Sequence, residues 1–174
     1  MREDWIKIQY KDIVSKISLS NKKLKQKEYL PSGKIPVVDQ GQELIGGYTD
    51  DESKLIDCKL PCVVFGDHTK IVKLINFPFA SGADGTKVIE PKEHLEPKLL
   101  KYFTEVLALK IKDKGYARHY QDIEKLDIVI PPKLEQKAIV AKIEQLFSGL
   151  DNGIANLKTA QAKLKIYRQA VLKK

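Results

Sequence analysis

The chain has 174 residues, of which 43% are hydrophobic and 31% are charged, and this balance disfavours a disordered or fibrous protein. The length allows one globular domain with its own core and an additional segment. No apolar run is long enough to span a membrane, and the N-terminus lacks the apolar core of a signal peptide. We therefore expect a cytoplasmic protein.

The net charge of +8 is unevenly distributed along the chain. Residues 133–174 contain nine Lys and Arg against three Asp and Glu, whereas residues 1–132 contain 22 against 20. A basic segment permits contact with nucleic acid, but a solvated lysine-rich surface gives the same composition. Charge alone leaves both interpretations open.

The first predicted elements are short and β-rich. A strand is predicted from residue 5 and runs into one helical turn by residue 17. Further apolar runs, bounded by glycine and proline, occupy residues 35–38, 62–65, 71–75 and 87–89, and a last strand is predicted at 127–130. The runs on either side of Gly66–Thr69 predict a hairpin. Pro97 begins a predicted helix that ends near Gly115, with a shared apolar face of Leu100, Phe103, Val106, Leu107 and Ile111.

A heptad repeat distinguishes the C-terminal segment. After Pro131–Pro132, apolar residues occupy successive core positions and form a seam of Ile143, Phe147, Leu150, Ile154, Leu157, Leu164 and Val171. Gln161 and Arg168 occupy two further core positions, so a short or antiparallel pairing with a partner helix is favoured over a long parallel zipper. Gly149 and Gly153 weaken the helix, yet the unbroken sevenfold spacing favours one continuous helix over a helical hairpin.

These elements predict an α+β fold. Residues 1–132 form a globular mixed α/β domain, and residues 133–174 form a long C-terminal coiled-coil helix. Pro131–Pro132 marks the boundary, because proline can neither continue a strand ladder nor donate an N–H.

Two groups of residues suggest chemistry of their own. Cys58 and Cys62 have a CxxxC spacing with His68 further on, which raises the question of a metal site. No second cysteine pair follows, so reduced core cysteines are favoured and no metal is predicted. Asp67 beside His68 suggests acid–base catalysis, but no nucleophile motif accompanies them. A turn in which Asp67 and Thr69 satisfy backbone groups is favoured, and a small enzyme ranks third among the hypotheses.

The loops also carry side chains suited to contact with DNA. Lysine and arginine bind phosphates or guanine edges, glutamine binds adenine edges, and shorter polar side chains reach nearby bases. The candidates are Lys22, Lys23, Lys25, Gln40, Gln42, His68, Thr69, Lys70, Arg118 and Tyr120. Each is a weak signal individually, because most surface lysines and glutamines are simply solvated.

The C-terminal segment resembles a known family. Pro131–Pro132, followed by Glu135–Gln136 and by residues 139–144 and 168–174, resembles the conserved helical region of the DNA-specificity (S) subunit of type I restriction-modification enzymes. Lys133 departs from the pattern, since the family usually has an apolar residue there, and so do the two glycines of the helix.

The preceding loops resemble one class of that family's target recognition domains. The similarity runs from residues 66–69 through residues 82–85 and includes Arg118 ahead of the proline pair. Together the two regions of resemblance cover almost the whole chain.

The resemblance implies that the chain recognises DNA and catalyses nothing itself. A complete S subunit is similar to two tandem copies of this unit, with the two helices paired antiparallel. This chain is therefore expected to be either a half-subunit or a fragment that ends where the second recognition domain would begin. Methyltransferase (modification) subunits would carry S-adenosylmethionine and methylate adenine, and a restriction subunit would translocate and cleave. No cofactor is expected on this chain.

A half-subunit is also expected to self-associate. A helix over residues 133–174 would be about 60 Å long, more than the roughly 34 Å between sites one DNA turn apart. A homodimer of identical readers would recognise a bipartite palindromic sequence in double-stranded DNA. The alternative is a coiled-coil assembly or adaptor protein whose α+β domain binds protein.

Overall fold

The structure, a computed structural model, describes residues 4–83, 85–112, 115 and 117–172. Their strands are β1 (Ile6–Gln9), β2 (Val14–Ile17), β3 (Lys23–Leu24), β4 (Ile35–Val38), β5 (Gly47–Thr49), β6 (Cys62–Gly66), β7 (Val72–Ile75), β8 (Ala80–Gly82), β9 (Thr86–Pro91) and β10 (Asp127–Ile130). Their α-helices are α1 (Pro97–Lys110), α2 (Tyr120–Ile123) and α3 (Lys133–Leu172).

The strands pair into sheets of different kinds. One sheet is antiparallel, in the order β2-β9-β6-β7. A second has the order β3-β8-β4-β5, in which β8 runs parallel to both of its neighbours while β4 and β5 are antiparallel. β1 and β10 form a separate antiparallel pair with Ile6 opposite Ile130, which brings the N-terminal strand beside the strand that leads into α3.

β6 lies in the main hydrophobic core. All five of its residues are buried, and Val64 on this strand is opposite Val88 on β9. Burial on both faces explains the continuous apolar run in the sequence. Val38 packs into this cluster, whereas the adjacent Val37 packs into a second cluster around Leu24, because successive strand residues point to opposite faces of a sheet.

The predicted α+β fold with a long C-terminal helix is confirmed. β6 and β7 form the predicted antiparallel hairpin, and the last strand covers the predicted residues 127–130. α3 is a single helix of 40 residues that continues through Gly149 and Gly153. Asp84, Lys173 and Lys174, which belong to the motifs of the sequence, lie outside the described residues.

The predicted apolar face of α1 was partly wrong. Val106 is 49% exposed, and the helix ends at Lys110 rather than near Gly115. Thr104 is buried instead, because its hydroxyl donates to the carbonyl oxygen of Leu100 at 2.7 Å and lies 2.8 Å from the hydroxyl of Tyr10. A polar residue is tolerated in the core when its hydrogen bonds are satisfied, and hydrophobic periodicity cannot detect it.

Gln136 joins the start of α3 to the globular domain. Its side-chain nitrogen donates to the carbonyl oxygens of His94 at 2.9 Å and Pro131 at 3.0 Å, and its side-chain oxygen accepts the N–H of Glu96 at 2.8 Å. A second link comes from the indole N–H of Trp5, which donates to Glu135 at 3.0 Å. The Glu-Gln pair after the two prolines therefore has a structural role at the beginning of the helix.

The chain divides into two units, residues 1–136 and residues 137–174. The division lies within the first turn of α3, four residues after the predicted domain boundary at residue 132. That residues 1–132 and residues 133–174 are separate domains stays a prediction. No helix among the described residues is long and apolar enough to cross a membrane.

Candidate nucleic-acid interface

Four segments of the globular unit meet beyond the ends of β4 and β6 and before the start of β9. They are residues 39–46, residues 66–70, Gly85 and residues 117–119, and we refer to them as the loop edge. The hydroxyl of Thr69 donates to the carbonyl oxygen of Gln40 at 2.7 Å, and the N–H of His68 lies 3.3 Å from the side-chain oxygen of Gln40. On the other side, the Nδ1 atom of the His68 ring is 3.0 Å from the carbonyl oxygen of Ala117.

Gly85 allows these segments to approach closely. Its φ angle of +75° is in the left-handed region that favours glycine. A Cβ atom at this position would lie 2.5 Å from the His68 ring and 2.6 Å from the side-chain oxygen of Gln40. Any larger residue would therefore push apart two of the predicted DNA-contacting side chains.

Asp67 is a structural link at the centre of the loop edge. It is 2% exposed, and one carboxylate oxygen accepts the N–H of Tyr120 at 2.8 Å while the other lies 3.3 Å from the ammonium group of Lys87. Its carbonyl oxygen accepts the N–H of His119 at 3.1 Å and lies 2.8 Å from Nδ1 of that ring. The predicted turn, in which Asp67 and Thr69 satisfy backbone groups, is confirmed, and this geometry does not favour Asp67 as a catalytic acid or base.

Lys73 holds the loop that carries Gln40 and Gln42. It is buried on β7, and its ammonium group donates to the carbonyl oxygens of Asp39 at 2.8 Å and Glu43 at 2.5 Å. Burial lowers the pKa of Lys73, and the nearby Asp39 carboxylate opposes this shift. The loop is therefore positioned by a buried cation rather than by apolar packing alone.

The structure brings several predicted DNA-contacting residues together. Gln40, His68 and Thr69 are joined by hydrogen bonds. Lys70 and Arg118 belong to two of the segments that form the loop edge. Gln42 is exposed on the loop that Lys73 holds, so its side chain is accessible to a ligand.

Other predicted contacts have different surroundings. Tyr120 was wrongly predicted to read bases: it is 1% exposed and its ring packs against Phe65 and Tyr10, with centroids 5.8 and 6.4 Å apart. Lys22 donates to the carbonyl oxygen of Leu55 at 2.8 Å and so helps to hold the fold. Lys23 and Lys25 are exposed on either side of the buried Leu24, and Lys23 belongs to strand β3.

Two lysines near the loop edge were missed by the sequence analysis. Lys87 directly follows Gly85–Thr86 and pairs with Asp67, and Lys16 on β2 lies 5.7 Å from the centre of the Tyr120 ring. Both are strand residues, and alternation along a strand does not show which end of a sheet faces a ligand. The only available signal was the position of Lys87 just after a glycine-rich turn.

The cysteine pair lies at the other end of β6 from the loop edge. Cys58 and Cys62 are free thiols with their sulfur atoms 3.7 Å apart, whereas His68 follows the far end of that strand. Within the described parts of the chain, no group of three or more His, Cys, Asp or Glu residues is placed to hold a metal ion.

The heptad seam on α3 is largely exposed in the single chain. Six of its residues have exposed fractions of 50–72%, namely Phe147, Leu150, Ile154, Leu157, Leu164 and Val171, whereas Ile143 is half-buried. A row of apolar side chains at heptad spacing on one long helix, interrupted here by Gln161 and Arg168, is typical of a coiled-coil surface.

Comparison with known proteins defines the class to which this fold and loop edge belong. The family model described as the type I restriction modification DNA specificity domain matches residues 2–160. The match covers most of the chain, so the chain belongs to the family of type I restriction-modification DNA specificity domains. A comparison with curated protein sequences gives no match.

Solved structures share the fold. A chain from a structure titled for complex assembly and conformational transition of a type I R-M system matches with a TM-score of 0.77 and 18% identity over 100% of this chain and 46% of that chain. The HsdS subunit from Thermoanaerobacter tengcongensis matches with a TM-score of 0.69 and 21% identity over 100% of this chain and 45% of that subunit. The type I S subunit from M. genitalium matches with a TM-score of 0.61 and 17% identity over 85% of this chain and 40% of that subunit. This chain thus spans less than half the length of each.

Proposed function

We propose that the chain is the sequence-recognition subunit of a type I restriction-modification complex and has no catalytic activity of its own. In this role its loop edge binds double-stranded DNA, and partner methyltransferase subunits, loaded with S-adenosylmethionine, methylate adenine at the site it selects. A restriction subunit acts through the same complex, which works in the cytoplasm. The family membership supports this proposal, and the observation that carries it is the joining of Gln40, His68 and Thr69 at one accessible edge.

The loop edge is suited to reading base edges because its side chains are positioned before DNA arrives. Gln40 is held by two contacts with the β6–β7 turn, and the turn is held in place by Asp67. Side chains held in one geometry lose little entropy on binding. Gln42 and Arg118 are exposed, and their amide and guanidinium groups form bidentate pairs with adenine and guanine.

The specificity proposal is tested by methylation-pattern sequencing of cells that carry the chain with its modification subunit. We expect adenine methylation within one bipartite motif. Gln42→Ala and Arg118→Ala should reduce methylation or change the motif, while Lys59→Ala, at the opposite end of β6, should leave it unchanged. If the cells show no motif-specific adenine methylation, the proposal is wrong.

We further propose that two copies pair through α3, which would place two loop edges on one bipartite target. The exposed seam supports pairing, and a helix of 40 residues is about 60 Å long. Light scattering at micromolar concentration should give twice the 19.8 kDa mass of one chain. The double substitution Leu150→Glu and Leu157→Glu should give a monomer, because pairing through the seam would bury the two glutamate carboxylates between the helices. Ala155→Glu with Ala162→Glu, on the opposite face of the same helix, is the matched control and should stay dimeric.

A coiled-coil adaptor is the second candidate, since the exposed seam alone favours it. An adaptor would still pair through α3 but would show no preference among DNA sequences. A dimer that produces no methylation motif would therefore favour the adaptor. A wild-type monomer with α3 intact would contradict the pairing through α3 that both candidate functions require.

A further inference from the structure

A polar cavity of about 260 Å³ lies where the end of β2, the start of β3 and the start of β9 come together. Three lysines and three hydroxyl-bearing residues line it: Lys16, Lys23, Lys87, Ser18, Ser20 and Thr86. Among the residues that the structure describes, no carboxylate belongs to the lining. Since one water molecule occupies about 30 Å³ in the liquid, the cavity has room for a group of several polar atoms.

Thr86 contributes a buried, unsatisfied hydroxyl to the residues that line this cavity. The residue is 2% exposed, and among the described residues its buried hydroxyl has no hydrogen-bond partner. Buried hydroxyls are almost always paired, because an unpaired one loses its bond to water without replacement. The hydroxyls of Ser18 and Ser20 are hydrogen-bonded to each other at 3.0 Å, which leaves one of the two hydrogens for a further acceptor at the same cavity.

The charges at the cavity favour an anion. Lys23 is exposed, and the ammonium group of Lys16 lies 3.8 Å from a carboxylate oxygen of Glu124, which is longer than a close ion pair. Lys87 is paired with Asp67 at 3.3 Å, which offsets part of the positive charge and fixes the position of its ammonium group. Ammonium and hydroxyl donors around one small space match the oxygen atoms of a phosphate group.

The cavity adjoins the loop edge along the chain. Thr86 and Lys87 directly follow Gly85, which lies against His68 and Gln40, and Lys87 pairs with the same Asp67 that holds the β6–β7 turn. The cavity and the loop edge therefore share one short segment of the chain and the same Asp67 contact. Contacts to phosphates set the register in which base-reading side chains meet the bases.

We propose that this cavity binds a phosphodiester group of the DNA backbone and thereby sets the register of the loop edge on its target. The assignment rests on the DNA recognition proposed above. It adds Lys16, Ser18, Ser20, Thr86 and Lys87 to the residues that contact DNA.

The test measures fluorescence anisotropy of a labelled mixed-sequence duplex, titrated with the full chain over a range of salt concentrations. Thr86→Val should weaken binding about fivefold or more, because a hydrogen bond to a charged group is lost, while the conservative Thr86→Ser should retain affinity. Lys23→Gln should weaken binding and reduce the slope of log affinity against log salt by about one. Lys59→Gln, with the same charge change at the opposite end of β6, should change neither quantity by as much.

Stability measurements exclude a simple folding defect. Thr86→Val removes an unpaired buried hydroxyl and keeps the side-chain shape, so its urea midpoint should equal or exceed that of the wild type. If Thr86→Val and Lys23→Gln bind the duplex like Lys59→Gln, or if the wild type does not bind duplex at low salt, the assignment is wrong.

A second arm distinguishes the source of the phosphate by following the backbone amide signals of Ser18, Ser20 and Thr86. Duplex should shift them, and inorganic phosphate should do so only weakly. Shifts with inorganic phosphate but not with duplex would assign the cavity to a free phosphate-bearing ligand and overturn the DNA assignment. The binding experiment uses a mixed-sequence duplex and so does not depend on a target motif. If Thr86→Val weakens this binding while the cells show no methylation motif, the phosphate assignment is supported and the specificity proposal is contradicted.

Discussion

The ammonium group of Lys73 lies 3.7 Å from a carboxylate oxygen of Asp39 and donates a hydrogen bond to the carbonyl oxygen of the same residue. The Asp39 carboxylate in turn accepts the N–H of Gly41 at 2.8 Å. One buried strand residue thus determines the path of the loop that carries Gln40 and Gln42. The relationship explains how an irregular segment presents side chains in a defined geometry.

Replacing Lys73 by methionine should loosen this loop. The change leaves the carbonyl oxygens of Asp39 and Glu43 without their donor, so we expect a loss of about 2 kcal/mol in the free energy of unfolding. Urea denaturation measures the loss, and the matched control Lys34→Met, at an exposed position, should stay within about 0.5 kcal/mol of the wild type. Equal stability of the two variants would show that the Lys73 contacts do not hold the loop.

Asp67 is expected to contribute to stability through both of its carboxylate oxygens. Asp67→Ala removes the acceptor of the buried Tyr120 N–H and the partner of Lys87, which should cost about 2–3 kcal/mol. Asp67→Asn keeps one acceptor oxygen and should cost less. Thermal and urea unfolding distinguish the two variants, with exposed Asp57→Ala as the control, and the prediction fails if alanine is tolerated as well as asparagine.

Gln136 is expected to be essential for the start of α3. Gln136→Leu leaves the carbonyl oxygens of His94 and Pro131 and the N–H of Glu96 without side-chain partners, and we expect a loss of about 2–4 kcal/mol. The same substitution at Gln145, an exposed position further along α3, provides the control and should change the free energy of unfolding little. Similar midpoints for the two variants would contradict a special role of Gln136.

Alkaline pH should unfold the protein through three tyrosines that lie in its core or pack against it. Burial raises the pKa of Tyr10, Tyr29 and Tyr120 above the ordinary value of 10.0, and Asp39 adds to the shift at Tyr29. A raised folded-state pKa means that the contribution to stability is complete below about pH 10 and declines as the pH rises through the folded-state value. Tyrosinate absorbance should show these phenols ionising together with the loss of circular dichroism, after the other tyrosines.

Tyr120→Phe provides the control for the alkaline transition. Among the described residues the Tyr120 hydroxyl is buried without a hydrogen-bond partner, so its removal should leave stability at neutral pH equal or higher. The variant should also lose less stability above pH 10 than the wild type does. Ionisation of all seven tyrosines while the circular dichroism is unchanged would rule out this explanation.

Local patterns in the sequence predicted a large part of the fold. The heptad spacing from Ile143 to Val171 predicted a continuous helix. Side chains on one face of a helix recur at separations of three, four and seven residues, so the pattern is visible within a short stretch of sequence. The β6–β7 hairpin was predicted for the same reason, since both strands and their turn are adjacent in the chain. The loop-edge residues Gln40, His68 and Thr69 were chosen for their chemistry, and their contact with one another was not foreseen.

The sequence by itself determined the helix with its apolar seam, the buried strand β6 and the residue types available for contact with DNA, because these follow from short-range periodicity and side-chain chemistry. Only the tertiary structure decided that Tyr120 lies in the core, and that Lys16, Lys23 and Lys87 share a cavity with Thr86. The same applies to Asp67, which joins segments more than 50 positions apart. These outcomes depend on which strands pair and on which distant group satisfies each buried polar atom, and no local pattern carries that information.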